Sequence, residues 1–268
     1  MAILVGVFGS LIGSFLNVVV YRIPLQRSIV TSPSACVQCN ARIKGYDNIP
    51  IFSWLFLRGK CRNCKATISM RYFFVELGTG IFFALVTLKF WSTAKSEYLL
   101  MFAFLYLAAV SVALALIDLD TNTLPNRIIL PSYFVGFALL GAVGIWRGEY
   151  GALFRAGIGM ALLWLIYIGL ALAYPGGMGF GDVKLAGVLG LFLGFLSWGA
   201  LITGAFAAFV LGGIFGLVLL LSRKANRKSG IPFGPWMLVG AWIGVLLSKP
   251  IVQIYFSLFG IGRNINGN

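Results

Sequence analysis

The chain has 268 residues, of which 60% are hydrophobic and 10% charged, with a mean hydropathy of +0.95. A water-soluble domain could not cover that much apolar surface, so composition excludes one and predicts an all-α polytopic membrane protein. The net charge of +14 would point a soluble chain towards nucleic acid, but no basic stripe with interleaved aromatics accompanies it, and no nucleic-acid partner is expected.

Apolar segments of about 18–25 residues read as membrane spans. In chain order they fall near 2–20, 73–92, 98–117, 128–146, 155–174, 184–197, 199–221 and 236–259, about eight transmembrane helices. Met1–Val20 lacks a basic n-region and is long enough to span, so it reads as a helix rather than a removable signal. The sixth and seventh segments share one run, divided near Ser197-Trp198-Gly199. Loops 21–72, 118–127, 175–184 and 222–235 hold 15 of the 21 Lys and Arg. The positive-inside rule makes those loops cytoplasmic and the N-terminus external. Glycine pairs at four-residue spacing (Gly9/Gly13, Gly190/Gly194, Gly212/Gly216, Gly240/Gly244) predict close helix contacts, and the tail Gly262–Asn268 is expected to fray.

One stretch departs from membrane composition. Residues 21–71 carry nine Lys/Arg and all four cysteines, which predicts a small cytoplasmic domain between the first two spans. The N-terminal region is then 1–92 and the main membrane bundle 93–268. A domain of this size needs a staple. Cys36-Val-Gln-Cys39 and Cys61-Arg-Asn-Cys64 are two C-x-x-C knuckles with 21 residues between them, able to place four thiolates on one tetrahedral ion. A reducing cytoplasm argues against disulfides. The expectation is structural Zn2+ held by Cys36, Cys39, Cys61 and Cys64, with no open coordination position for chemistry.

Two acids stand at the tips of apolar runs. Asp118 ends Leu99–Ile117, and Asp182 follows Leu162–Tyr174 within Gly179-Phe-Gly181-Asp182. Ionisable groups at such places are costly and mark functional sites. The chain has no histidine, so two carboxylates are nearly the only acid–base pair available to it. The derived topology puts both on the cytoplasmic side, two helices apart. Asn126, after Pro125, is the expected N-cap of the fourth span. Glycines beside Asp182 allow another backbone close approach. From spacing alone a bland reading stays open, with Asp182 as a helix cap and Asp118 as an interfacial charge beside Arg127.

The ordered motifs carry a resemblance. Gly13-Ser-Phe-Leu-Asn-Val-Val-Val-Tyr-Arg-Ile-Pro24, the two C-x-x-C pairs, Arg71-Tyr-Phe-Phe-Val-Glu76-Leu, Ile117-Asp118-Leu-Asp-Thr-Asn-Thr-Leu-Pro125-Asn126, Gly177-Met-Gly-Phe-Gly-Asp182-Val-Lys-Leu185 and Pro232-Phe-Gly-Pro235 together resemble the bacterial type IV prepilin peptidases, aspartic intramembrane proteases of the GxGD group. The resemblance implies a catalytic pair at Asp118 and Asp182, with Asp120, Gly179, Gly181 and Glu76 supporting. It implies cleavage of the basic leader of type IV prepilins and type II secretion pseudopilins, after Gly, at the cytoplasmic face of the bacterial inner membrane. It further implies N-methylation of the new terminus with S-adenosylmethionine. Glu76 is open to three readings: an ion pair with Arg71, one with Arg22, or a place near the substrate amine. Pro232-Phe-Gly-Pro235 reads either as part of a substrate groove or as a helix-entry turn.

Two other function classes compete. A secondary transporter would use intramembrane acids as an ion path, but both acids sit at one face and no inverted repeat is visible. A non-catalytic assembly scaffold carrying a zinc module would cleave nothing.

Overall fold

The computed structural model describes residues 1–30, 33–92, 95–173, 178–222 and 232–258. Regular structure within them is helical, apart from two isolated antiparallel bridges. The chain divides into two compact units, Met1–Thr121 and Asn122–Asn268. The first holds α1 (Ala2–Arg22), the short α2 (Phe52–Phe56), α3 (Met70–Phe90) and α4 (Lys95–Thr121). The second holds α5 (Asn126–Arg147), α6 (Tyr150–Ala173), α7 (Phe180–Leu196), α8 (Trp198–Leu221) and α9 (Gly234–Leu258). The tail Gly262–Asn268, residues 223–231, and Gly176 and Gly177 lie outside the described residues.

Seven of these helices, all but α2 and α7, are long and apolar enough to cross a bilayer. The remaining segment of the eight expected is α7, which is shorter and more deeply enclosed than the rest. α7 has 17 residues, about 25 Å at 1.5 Å per residue, against a hydrocarbon core of about 30 Å. Thirteen of its residues are buried, against α5, α6, α8 and α9. A helix apolar on every side belongs inside its unit, and α7 is the core helix here.

Local chemistry sets the boundaries. Ser197 adopts extended backbone (φ −174°, ψ 163°), and its hydroxyl accepts the Ala200 N–H at 3.0 Å, ending α7 and capping α8 where the split was expected. Ser69 likewise caps α3 through the Arg71 N–H at 3.2 Å. Asn126 is not an N-cap: Pro125 takes the cap position in extended backbone, and Asn126 is the first helical residue. Its side chain accepts a hydrogen bond from Lys184 Nζ at 3.0 Å instead.

Small residues bring helices to backbone contact. A Cβ added at Gly13 would stand 2.9 Å from the Glu76 Cα, joining α1 to α3; one at Gly159 would stand 2.6 Å from the Gly190 carbonyl oxygen, joining α6 to α7; one at Gly244 would stand 2.5 Å from the Ala200 carbonyl oxygen, joining α9 to α8. Gly212 instead makes room for the Phe233 ring. Buried hydroxyls return to their own helix, as Thr79 Oγ1 does to the Val75 carbonyl at 2.6 Å and Ser111 Oγ to the Leu107 carbonyl at 2.7 Å. The far end of α7 is closed by a charge: Arg155 of α6 donates to the carbonyls of Gly194 (2.7 Å), Phe195 (2.7 Å) and Leu196 (3.2 Å). These carbonyls have no partner within their own helix, and the cation also opposes the negative end of the helix dipole.

Candidate active site and metal centre

Asp118 lies in the last turn of α4 and is 4% exposed. Two residues on, Asp120 has a different setting. Arg71, in the first turn of α3, grips it with two parallel bonds, Nη1 to Oδ1 at 2.8 Å and Nη2 to Oδ2 at 2.7 Å. Both partners are partly exposed. The fork ties Asp120 at the surface, while its neighbour is enclosed. This pairing also answers one question about Glu76, because Arg71 is committed elsewhere. Glu76 is buried in α3 and accepts the Ile51 N–H at 2.7 Å, with the Ser14 hydroxyl also hydrogen-bonded to it. Its role in the fold is to tie the 21–71 segment to the second span.

Asp182 belongs to the other unit and is 8% exposed. It occupies the third helical position of α7, with Gly179 at the cap. Its Oδ2 accepts the Gly179 N–H at 3.1 Å, and its own N–H donates to the Gly179 carbonyl at 3.0 Å, a reciprocal closure of the first turn. The two glycines are unequal. A Cβ at Gly181 would press to 2.8 Å from the Leu124 Cβ, whereas one at Gly179 would meet nothing nearer than 3.4 Å. Gly181 is thus a packing requirement, and Leu124 lies against it directly before Pro125.

The turn is fixed by residues that sequence reasoning had not singled out. The Tyr133 hydroxyl donates to the Lys184 carbonyl at 2.6 Å, and Lys184 Nζ lies over the Phe180 ring at 5.8 Å while it reaches Asn126. Tyr133 sits in an apolar span, and only its partner on α7 gives it meaning. Tyr167 is buried within electrostatic range of Asp182. It packs with Phe209 and Phe233 at ring distances of 5.3 and 6.2 Å. Phe233 also accepts the Trp236 and Met237 N–H groups at 3.1 Å, so Pro232-Phe-Gly-Pro235 serves as the helix-entry turn of α9.

The four cysteines converge. Their sulfurs all lie within 4.8 Å of one another, and Cys36 Sγ and Cys64 Sγ are 3.8 Å apart. A tetrahedron with Zn–S bonds of about 2.3 Å has an edge of about 3.8 Å, so the donor set fits zinc in type and spacing. The two knuckles are built alike, twenty-five positions apart, a repeat that the sequence reading missed. Cys36 N–H donates to the Ala41 carbonyl at 3.0 Å and Asn40 N–H to the Cys36 carbonyl at 2.9 Å; Cys61 N–H donates to the Ala66 carbonyl at 2.8 Å and Lys65 N–H to the Cys61 carbonyl at 3.1 Å. Asn40 and Lys65 share a left-handed backbone, φ 54° and 59°, and the C-x-x-C-x-Ala pattern was its visible sign.

Backbone amides poise these sulfurs for a cation. The Ala41 N–H, opposed by desolvation and helped by neighbouring side chains, draws the Cys39 thiol down to about 6. The Cys64 and Asn63 N–H groups lower Cys61. At Cys64 the Ala66 N–H acts in the same direction, but the other sulfurs and desolvation together push it up to about 11. Sulfurs this close cannot all ionise without a cation among them. Nearby, the Arg62 guanidinium donates to Asp47 at 2.6–3.0 Å and holds that carboxyl below the usual carboxylate range.

The Bacterial Peptidase A24 N-terminal domain family matches residues 7–90, and the Type IV leader peptidase family matches residues 105–217. Among curated proteins, the chain is 36% identical to the "Prepilin leader peptidase/N-methyltransferase" of Aeromonas salmonicida (strain A449), covering 95% of this chain and 93% of that protein. Proteins of the same name from Pseudomonas aeruginosa and Neisseria gonorrhoeae are each 33% identical. They cover 94% and 90% of this chain, and 92% and 88% of their own lengths. No solved structure gives a significant match.

Proposed function

Since the chain belongs to the type IV leader peptidase family, and is thereby an enzyme embedded in a membrane, we propose that it is an aspartic endopeptidase. Its substrates are type IV prepilins and type II secretion pseudopilins, cut after the Gly that ends a short basic leader. The cut falls at the cytoplasmic face of the bacterial inner membrane, with the N-terminus of the enzyme outside. Asp118 and Asp182 are the catalytic pair. The observation that carries this assignment is the contrast between neighbours: Asp118 is 4% exposed, while Asp120 is locked to Arg71 by two hydrogen bonds. The Arg71 fork engages both oxygens of Asp120. Asp182 is 8% exposed and is held by the first turn of a core helix. Leu124, six residues along the chain from Asp118, packs on Gly181.

In this reading the pair shares one proton. The ionised carboxylate removes a proton from water, and the water oxygen attacks the glycyl carbonyl carbon while the protonated partner donates to the carbonyl oxygen. The gem-diol collapses, the C–N bond breaks, and the proton taken from water passes to the departing nitrogen. A free amine and a carboxylic acid result. Glycine before the bond leaves the carbonyl sterically open.

Cys36, Cys39, Cys61 and Cys64 hold zinc, whose contribution when bound is a four-way cross-link of residues 21–71 rather than a reacting centre. We also assign the N-terminal methylation named in the relatives to this chain, with S-adenosylmethionine supplying the methyl group. Among the described residues there is no strand ahead of a glycine loop of the soluble methyltransferase kind, and no residue is assigned to the donor. In this proposal 1–92 is the N-terminal region and 93–268 the peptidase bundle.

The test uses detergent-solubilised protein and a prepilin, with products read by N-terminal mass analysis. Asp118→Asn and Asp182→Asn should each abolish cleavage with the fold intact, while Asp120→Asn should still cut. Full processing by either of the first two ends the hydrolase reading.

A further inference from the structure

The 21–71 segment carries an apolar surface used by neither the metal centre nor the aspartates. α2 and its flanks read Ile49-Pro-Ile-Phe-Ser-Trp-Leu-Phe-Leu57, with Arg58 and Lys60 immediately beyond. One side of this short helix is anchored. Ile51 N–H donates to Glu76 at 2.7 Å. The Trp54 ring packs on Phe73 at 5.4 Å and donates from Nε1 to the Ile68 carbonyl at 3.3 Å. Gly59, at φ +62°, closes the turn where a Cβ would stand 2.7 Å from the Trp54 ring. Even Ser53, the polar residue of the run, spends its hydroxyl on backbone, donating to the Tyr46 carbonyl at 3.1 Å and accepting from Ile49 at 3.0 Å. The other side is bare: Phe52, Leu55 and Phe56 are 59%, 51% and 83% exposed.

The anchors fix where this bare side lies along α3. Glu76 lies six residues inside α3, whose first residue is Met70, which is about 9 Å along the axis. α3 has 21 residues, about 31 Å of helix, matched to a hydrocarbon core of about 30 Å. α2 is therefore strapped to the first two turns of α3, at Phe73 and Glu76, where the expected second span begins. Large apolar side chains pointing outwards there are placed to meet acyl chains. Long basic side chains just beyond them can return to the headgroups. Charge supports the same occupant, because Asp47 and Glu76 are the acids of residues 21–76 and both are engaged, with Arg62 and with Ile51.

We propose that α2 is an interfacial foot. Phe52, Leu55 and Phe56 enter the acyl boundary of the leaflet on the cysteine-domain side, and Arg58 and Lys60 contact the phosphates of anionic lipids. The proposal does not depend on the peptidase assignment.

The experiment places 4-trifluoromethylphenylalanine at position 56 of the full chain, a near-isosteric change, in nanodiscs of phosphatidylcholine with or without phosphatidylglycerol. A nitroxide at carbon 5 of the lipid chain should broaden the fluorine line severalfold, and a water-soluble gadolinium chelate should leave it nearly unchanged. Broadening by the chelate and not by the lipid overturns the proposal. So does a resonance shielded from both, which would mean that protein, whether a second copy or a substrate helix, covers this face. Phosphatidylglycerol should strengthen the lipid effect, and R58Q/K60Q should remove that increment. An increment retained in the variant refutes the phosphate contact.

Discussion

Replacing Arg155 by Met tests how α7 is held. Methionine keeps most of the apolar stem but removes the guanidinium that bonds the carbonyls of Gly194 and Phe195 at 2.7 Å and of Leu196 at 3.2 Å. A net hydrogen bond to a charged donor contributes about 1.5–3 kcal/mol. Two short bonds at the lower figure, with the third left out, give a loss of about 3 kcal/mol. Opposition to the helix dipole would add up to about 1 kcal/mol. For a chain of this size that corresponds to a fall in melting temperature of about 6–12 °C, readable by thermal unfolding in detergent. Arg155→Lys should recover part of the loss, since one ammonium cannot span three carbonyls. Asp182 lies at the opposite end of α7, so cleavage measured well below the transition should persist. A Met variant melting within 2 °C, roughly 0.5–1 kcal/mol on the same scale, would refute the claim that this cation closes the core helix.

Gly181→Ala should cost about 1–3 kcal/mol, because its Cβ would lie 2.8 Å from Leu124, whereas Gly179→Ala should cost less than about 1 kcal/mol; paired melting curves decide, and equal losses would contradict the packing. Ser197→Ala should lower stability by about 1 kcal/mol through loss of the α8 cap, by the same assay. Zinc affinity should rise with pH, because protons compete for the sulfurs. With Cys64 pushed up to about 11 and Cys39 drawn down to about 6, binding at neutral pH should release protons, which calorimetry in buffers of different ionisation enthalpy will count. The Asp47 carboxyl is lowered by Arg62, so its pairing contributes fully above the ordinary carboxylate range and is lost as pH falls through the depressed value. Asp47→Asn should flatten the acid limb of the domain's stability profile.

The spans and the cysteine cluster were legible because bilayer thickness and metal geometry act on local, countable features. The central place of α7 was not, since an enclosed helix and a lipid-facing one share an apolar run, and only its neighbours tell them apart. Asn126 was placed one position early because a Pro-Asn pair offers two candidates for the cap, and its link to Lys184 crosses 58 positions of sequence. Glu76 was recognised as a significant acid, but its partner is a backbone N–H, which no residue pattern announces. The identical build of the two knuckles was present in the letters and was passed over, because a repeat of so few residues hides among ordinary variation.

The stretch between the paired cysteine motifs contains α2 and the Ile51 amide held by Glu76. An ion gripping both motifs would cinch this loop at its base, while the Glu76 carboxylate pins its tip to α3. Drawing the loop closed at two points removes much of the freedom that its unfolded form would enjoy, by about 3 kcal/mol if the ion acts as a disulfide of similar loop length would. Metal supply would thereby be mechanically joined to the second span, and starvation for zinc would be felt as slack at Glu76, in the second turn of α3.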